Sequence, residues 1–474
     1  MSSALAQKDR IVLGRDRVLR TLLAVSVVLI VASLFAGMQR EHVFAKEKSA
    51  ALETDRSVWM NQGDRNPHSA AHFSRYAFRP ASPLALIEPG TNDFAGLAIW
   101  MEAHYQDPAV FRRAEDGGEL GRFAQLTPAF LMLVVAPLLV FLMLFDSIAG
   151  EREDRTLRQL LASGVSARQF LAGKIVSGLH VTLGAFTAVF ALIVVLCAIL
   201  TPHGLTVDAV WRFSAIYLLF AFYLVICVIL AIGVSAFFRS RQSAFLALTC
   251  IWTLLIIVLP RFGADLAISI HPQPDARDSA ARLKAASDTY YKDMDRRKQI
   301  DEEVLERYDV ASIDDLPINY GAYILQTSEE LSEPLFDQFY EDLNRTYEDQ
   351  ESIARAMSLL TPTIAATNLS RAIAGTDRTH QRAFAEAAED HRRAMVKLLN
   401  EDYMYNAGEA GYSYTANESL WAQFEDLDHE LPHLGGVASK YIADFLLLVV
   451  WLIGSLGFAY WSVRRAVVGE EQTA

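Results

Sequence analysis

The chain predicts an all-α integral membrane protein: six transmembrane helices, a large mainly helical extracytoplasmic domain between spans five and six, and a smaller one between spans one and two. Three observations carry this. Apolar residues make up 52% of the sequence, and the charged residues collect in long blocks between apolar runs, the pattern of a multi-span protein with soluble inserts. Six of those runs approach the roughly 20 residues a helix needs to cross a bilayer. The short flanks are basic: Lys8, Arg10, Arg15, Arg17 and Arg20 before the first run, Arg152, Arg155, Arg158, Arg168 and Lys174 between the second and third, Arg239 and Arg241 between the fourth and fifth, Arg464 and Arg465 after the sixth. Six spans put all of these on one side, and the positive-inside rule makes that side cytoplasmic. The expected topology is multi-pass, with both termini inside.

Residues 1–17 read as a cytoplasmic N-terminus and 18–38 as the first span, whose apolar core from Thr21 to Met38 exceeds a signal-peptide h-region of roughly 7–15 residues. Residues 39–126 form the smaller extracytoplasmic segment. Its turn signals, Pro80, Pro83, Pro89-Gly90 and Gly117-Gly118, suggest short helices and loops. The second span covers 127–147, the third 175–200, the fourth 213–237, the fifth 244–262 and the sixth 441–460, with 461–474 as a cytoplasmic tail. Trp211 and Trp461 stand near span ends as interfacial anchors do. Cys197, Cys227 and Cys250 all lie within apolar runs and read as small core residues; the extracytoplasmic segments hold no cysteine, so no disulfide braces them.

Residues 263–440 form the larger extracytoplasmic domain. Phe384, Ala388, His391, Met395 and Leu398 make one helical stripe; Phe336, Phe339, Tyr340, Leu343 and Tyr347 make another, with Pro334 near its start. Arg277–Tyr308 reads as a third, highly charged helix. Period-two alternation is scarce, so little sheet is expected. The formal net charge of −13 comes with no basic stripe, which argues against a nucleic-acid partner; the acidity gathers between Asp265 and Glu430 as a solvated surface.

Residues 148–174 are the most informative stretch. Leu157, Leu160 and Leu161 fall at i, i+3 and i+4 and share a helix face, while Glu151, Glu153, Arg155 and Arg158 cover the remainder. Such a helix lies along the membrane surface with its charges offered to a cytoplasmic partner. Gly164 suits a left-handed cap, and Ser166 with Gln169 is a capping box opening the next helix.

The run Glu151, Glu153, Thr156, Leu157, Leu160, Leu161, Val165, Ser166, Gly173 and Lys174 resembles the coupling-helix motif of ABC transporter permeases of the ABC-2 (type V exporter) family. Arg155 stands where that family usually has Gly, and Gly164 where it often has Pro. Asn66–His72, Tyr76–Pro80 and Arg371–Asp377 look like a bacterial subfamily with a large periplasmic insert. The resemblance implies a permease subunit of an ABC exporter, with ATPase coupling carried by Glu151, Glu153, Arg155, Thr156, Leu157, Arg158, Leu160 and Leu161. It implies an ABC ATPase partner that binds the ATP and Mg, a second permease copy or a paralogous permease, and contact with membrane lipid; a periplasmic protein partner is left open. It also implies that Met357–Ala366 is a short exterior or re-entrant element.

No phosphate-cradling loop, nucleophile elbow or zinc-protease motif occurs in the chain, so no catalytic residue, cofactor site or metal site is expected within it, and ATP hydrolysis falls to the partner. His68 and His72, and His429 and His433, have ligand spacing, but Pro67 starts one pair, Pro432 interrupts the other, and no cysteine joins them; they read as surface histidines. His391 reads as a hydrogen-bonded core residue. Asp146 and Asp444, near span ends, are expected to reach water. The alternative function is a membrane-anchored sensor or scaffold with a ligand- or protein-binding helical domain.

Overall fold

The structure, a computed structural model, describes residues 7–9, 11, 14, 16–73, 75–82, 84–112, 126–200, 206–291 and 293–471. Expectations resting on Arg10, Arg15, Pro83, Gly117 and Gly118 fall outside them. The protein is an all-α integral membrane protein with six membrane-spanning helices: Arg17–Met60, Pro128–Glu153, Ala167–Ile199, Val207–Phe237, Arg241–Ile270 and Leu434–Gly469. The inserts after the first and fifth spans build a head on one side. The turns at 145–166 and 238–240 form the base on the other.

The fourth span is the axis of the frame. It is apolar all round and the most enclosed of the six, as a helix with no polar face should be. The sixth span, the third and the second pack against it. The second and fifth spans each widen into a π-helical turn, Leu131–Val135 and Thr253–Val258, with Pro137 and Pro260 just beyond. A proline lacks the N–H that would close the turn behind it, and hydrocarbon offers no water to replace it. Neighbouring side chains supply the missing donors: Tyr223 Oη donates to the Leu133 carbonyl at 3.2 Å, and Thr361 Oγ1 to the Leu255 carbonyl at 2.5 Å.

Two helices run well past the membrane. The first continues from the expected end at Met38 to Met60, and the fifth from Phe262 to Ile270. The first extension is charged yet free of Gly and Pro, and the second holds Gly263 and Asp265 but no proline, so hydropathy marks the edge of the apolar run but not the end of the helix. The head is then one body made from both inserts. Trp59 Nε1 donates to the Trp421 carbonyl at 2.9 Å, the fully buried Arg75 binds Asp55 at 2.7 Å and also Asp426, and Arg65 bridges to Ala416. A single antiparallel pair, β1 (Arg75–Phe78) and β2 (Ala98–Met101), places Arg75 opposite Met101.

The charged helix expected over Arg277–Tyr308 is two helices, Ala276–Tyr291 and Met294–Tyr308, the second capped by Asp293, whose carboxylate accepts from Asp295 N and Arg296 N. The aromatic stripe belongs to a 37-residue helix, Tyr320–Ala356, that begins well before Pro334 and carries it inside. Phe384, Ala388 and Met395 are buried as their spacing implies, along the helix Arg378–Asn406. Cys197 and Cys227 are buried, but Cys250 faces outward from the fifth span.

Between head and frame, a turn at Met357–Leu359 leads into the helix Pro362–Ala374, which packs against the fourth and sixth spans. Asp444 corrects its expectation: it is fully buried, and it reaches Arg355 at 2.9 Å and Asn368 at 2.9 Å instead of water. Arg212, also fully buried, takes Asp208 at 2.5 Å and donates to the carbonyls of Ile373 and Pro432. A buried guanidinium is tolerated only when paired in this way. It satisfies an otherwise orphaned carbonyl at the end of the Pro362–Ala374 helix.

Candidate functional site at the base of the bundle

The amphipathic segment is not one helix. Residues Ala149–Glu153 and Thr156–Ala162 form two short helices, and Arg155 between them adopts a left-handed conformation at φ 61°, ψ 13°. Leu157, Leu160 and Leu161 all lie beyond this break, so their spacing did not reveal it. The position where the family motif has Gly is the one that needs a positive φ.

The first short helix is held by its neighbours. Its leading N–H groups have no partner within the helix; Ser235 Oγ of the fourth span accepts from Ile148 N at 3.0 Å and Ala149 N at 3.1 Å, and donates to the Phe145 carbonyl at 2.7 Å. Arg152 returns the favour at the other helix end, donating to the carbonyls of Ala236 and Phe238. Glu153 accepts from Arg241 N at 2.9 Å, at the N-terminus of the fifth span, where a negative charge also meets the positive end of the helix dipole. Asp154 takes the Arg241 guanidinium through both oxygens. That hydrogen-bonded pairing lowers the Asp154 pKa.

Glu151 sits at the centre. Its side chain is 10% exposed and binds Lys8 at 2.9 Å, Lys174 at 3.2 Å and the Thr156 hydroxyl. Lys174, 3% exposed, also binds Asp9 at 2.9 Å. One carboxylate therefore ties the N-terminal segment, the second span, the second short helix and the third span together. Its charge points inward, not toward the solvent side where its place in the motif suggested a partner would be.

The second short helix presents its two faces as its spacing predicts. Leu157 is completely buried, Leu160 and Leu161 are half-buried against the same core, and the helix rests on the sixth span. Arg155, Arg158 and Gln159 are exposed. Gly164 closes the segment at φ 84°. The capping box forms, with Ser166 N donating to Gln169 Oε1 at 3.1 Å and Gln169 N to Ser166 Oγ at 3.4 Å. The residues that sequence reasoning missed as part of this site are Lys8, Asp9, Ser235 and Arg241; Lys8, Asp9 and Arg241 showed only as charges in the short flanks, and Ser235, a hydroxyl inside the fourth span, gave no local signal.

A six-span frame with a solvent-facing element anchored at its base suits a membrane-transport subunit. The family comparison agrees: residues 4–466 match the model described as ABC-2 family transporter protein, and the chain belongs to that family. It is thus the permease subunit of an ABC transporter, and an ABC ATPase is its partner. Among curated proteins there is no match.

Proposed function

We propose that the chain is the permease of a bacterial ABC exporter in the inner membrane, with base and termini in the cytoplasm and head outside. The segment from Glu151 to Leu161 is its coupling element. The observation that carries this is the division of labour at the base: Glu151, Arg152, Glu153 and Leu157 fasten the segment to the third, fourth, fifth and sixth spans, while Arg155 and Arg158 are offered to solvent. A seven-residue helix has no stability of its own; anchored this way, it passes a push from an ATPase to the spans rather than yielding to it. Two copies of the permease, or one with a paralogue, would sit on two ATPases. The first and fifth spans, with the sixth the least covered, leave Val28, Phe35, Leu254 and Phe262 exposed for lipid or the second copy.

Leu157→Asp and Arg158→Glu test this. The first places a carboxylate in an apolar pocket; the second inverts an exposed charge. Both proteins should insert, and both should lose ATPase co-purification by about tenfold or leave ATP turnover unresponsive to the permease, a change of about 1.4 kcal/mol or more in association. If both recruit the ATPase and support transport as wild type does, the segment is an ordinary loop.

A further inference from the structure

The head contains a side-chain cluster that the base does not explain. The short helix Pro67–Ala71 opens on Asn66, whose side chain accepts from His68 N at 3.0 Å. Ala70 and Ala71 are fully buried in the core that includes Phe384 and Ala388, which fixes the orientation of the helix. His68 and His72, four residues apart, then lie side by side. His104 arrives from the loop after β2, held in a left-handed conformation at φ 71°. The three imidazole centroids are 4.9, 5.1 and 5.2 Å apart, and one nitrogen from each lies within 4.8 Å of the others.

We propose that His68, His72 and His104 form a transition-metal site of the zinc class, with Glu329 orienting His104 and a fourth ligand position open to solvent. Four observations support it. Glu329 Oε1 accepts from His104 N at 2.9 Å and also meets the ring at Nδ1. A carboxylate there fixes the tautomer and leaves Nε2 as a lone-pair donor, the usual support of a metal-bound histidine. Glu329 is itself held near Arg392 at 3.7 Å, which Glu389 binds at 2.8 Å.

Asn400 hydrogen-bonds the His68 side chain, a contact of the kind that orients a ligating imidazole. The donor set is three imidazoles with no thiolate, which suits zinc, copper or nickel and not calcium or magnesium. Zinc–nitrogen bonds of about 2.0–2.1 Å place tetrahedral ligand nitrogens roughly 3.3 Å apart, so side-chain rotation suffices to close the triangle. His72 is exposed and gives the ion a way in. The ligands come from the insert after the first span and the supporting carboxylate from the helix Tyr320–Ala356, so a bound ion would clamp the two inserts together.

The test uses the full chain in detergent, stripped with chelator and titrated with Co²⁺ and then Zn²⁺. Wild type should take one Co²⁺ per chain with the visible absorption of a low-coordinate site, and one Zn²⁺ should displace it. His72→Ala and His104→Ala should each weaken binding at least 100-fold, and Glu329→Gln about 10–100-fold. His433→Ala, whose side chain is exposed and remote from the cluster, should bind as wild type. Because His72 is exposed, the stripped His72→Ala protein should melt with wild type, and it should lack the zinc-induced rise in melting temperature. Sub-stoichiometric cobalt binding, or a zinc-induced rise undiminished in both histidine variants, overturns the proposal.

Discussion

Removing the Glu151 carboxylate should loosen the base without unfolding the protein. In the structure this group accepts from two ammonium ions and one hydroxyl while nearly shielded from water. Breaking a fully buried ion pair costs about 3–5 kcal/mol, but two features reduce that here. Lys174 keeps Asp9 at 2.9 Å, and the Lys8 side chain is 53% exposed and can rehydrate. What remains is about one charge-assisted hydrogen bond in a shielded site, roughly 1.5–3 kcal/mol. Glu151→Ala should therefore shift the docking equilibrium of the helix Thr156–Ala162 by roughly 10–150-fold, read as faster amide exchange across that helix in nanodiscs. Glu151→Gln, which keeps an acceptor for Thr156 and one lysine, should fall between. A double-mutant cycle with Lys174→Met should return a coupling of about 1–3 kcal/mol in thermal or denaturant melts. If amide exchange in Thr156–Ala162 is unchanged in Glu151→Ala and the two substitutions add within about 0.5 kcal/mol, Glu151 is not the hub described here.

Arg155→Gly should raise stability by up to about 1 kcal/mol, because only glycine adopts a left-handed conformation without strain, whereas Arg155→Val should lower it; a glycine variant that melts below wild type would contradict the turn as described. The orientation predicts that a cysteine at Ser419 reacts with an impermeant thiol reagent in intact spheroplasts and one at Ser163 does not, and reaction at Ser163 alone would reverse it. In the head, measured with chelator present, His68 protonates less readily folded than unfolded, so its contribution to stability rises with pH from about 4 to the ordinary value near 6.5. Asp107, pushed up to about 6 by burial and then by Glu102, holds its proton more tightly folded, so its contribution falls over nearly the same interval. Melting of Asp107→Asn should thus climb more steeply with pH between 4.5 and 6 than wild type does; equal slopes would show that these two groups do not oppose one another.

What the sequence discloses and what it hides divides by the range of the interaction. The capping box at Ser166 and Gln169, the left-handed Gly164 and the burial of Leu157 depend on residues within a turn or two, and each was legible from spacing. The inward role of Glu151 was not, because its partners Lys8 and Lys174 lie 143 and 23 residues away. The same holds for the histidine cluster: the pair at 68 and 72 was visible, but His104 and Glu329 join it only through the packing of β2 and the long head helix. Hydropathy found six spans yet did not mark the fourth as the axis, since lipid and protein neighbours impose the same apolar requirement on a helix.

The fourth span also explains how the two ends of the molecule are mechanically related. At the base, Ser235 and the carbonyls of Ala236 and Phe238 hold the first short helix of the segment. At the head end of the same helix, Arg212 holds the carbonyls of Ile373 and Pro432, and Tyr223 between them meets Thr363 at 3.0 Å. These contacts are directional and buried, so they resist sliding more than apolar packing does. The 31-residue helix carrying them is about 46 Å long at 1.5 Å per residue, enough to run from one set of contacts to the other. A tilt imposed at the base must either move the helix Pro362–Ala374 or break the Arg212 bonds to the two carbonyls, and the second route leaves a buried guanidinium with Asp208 alone. On the proposed coupling role, the fourth span is the route by which a push at the base reaches the head.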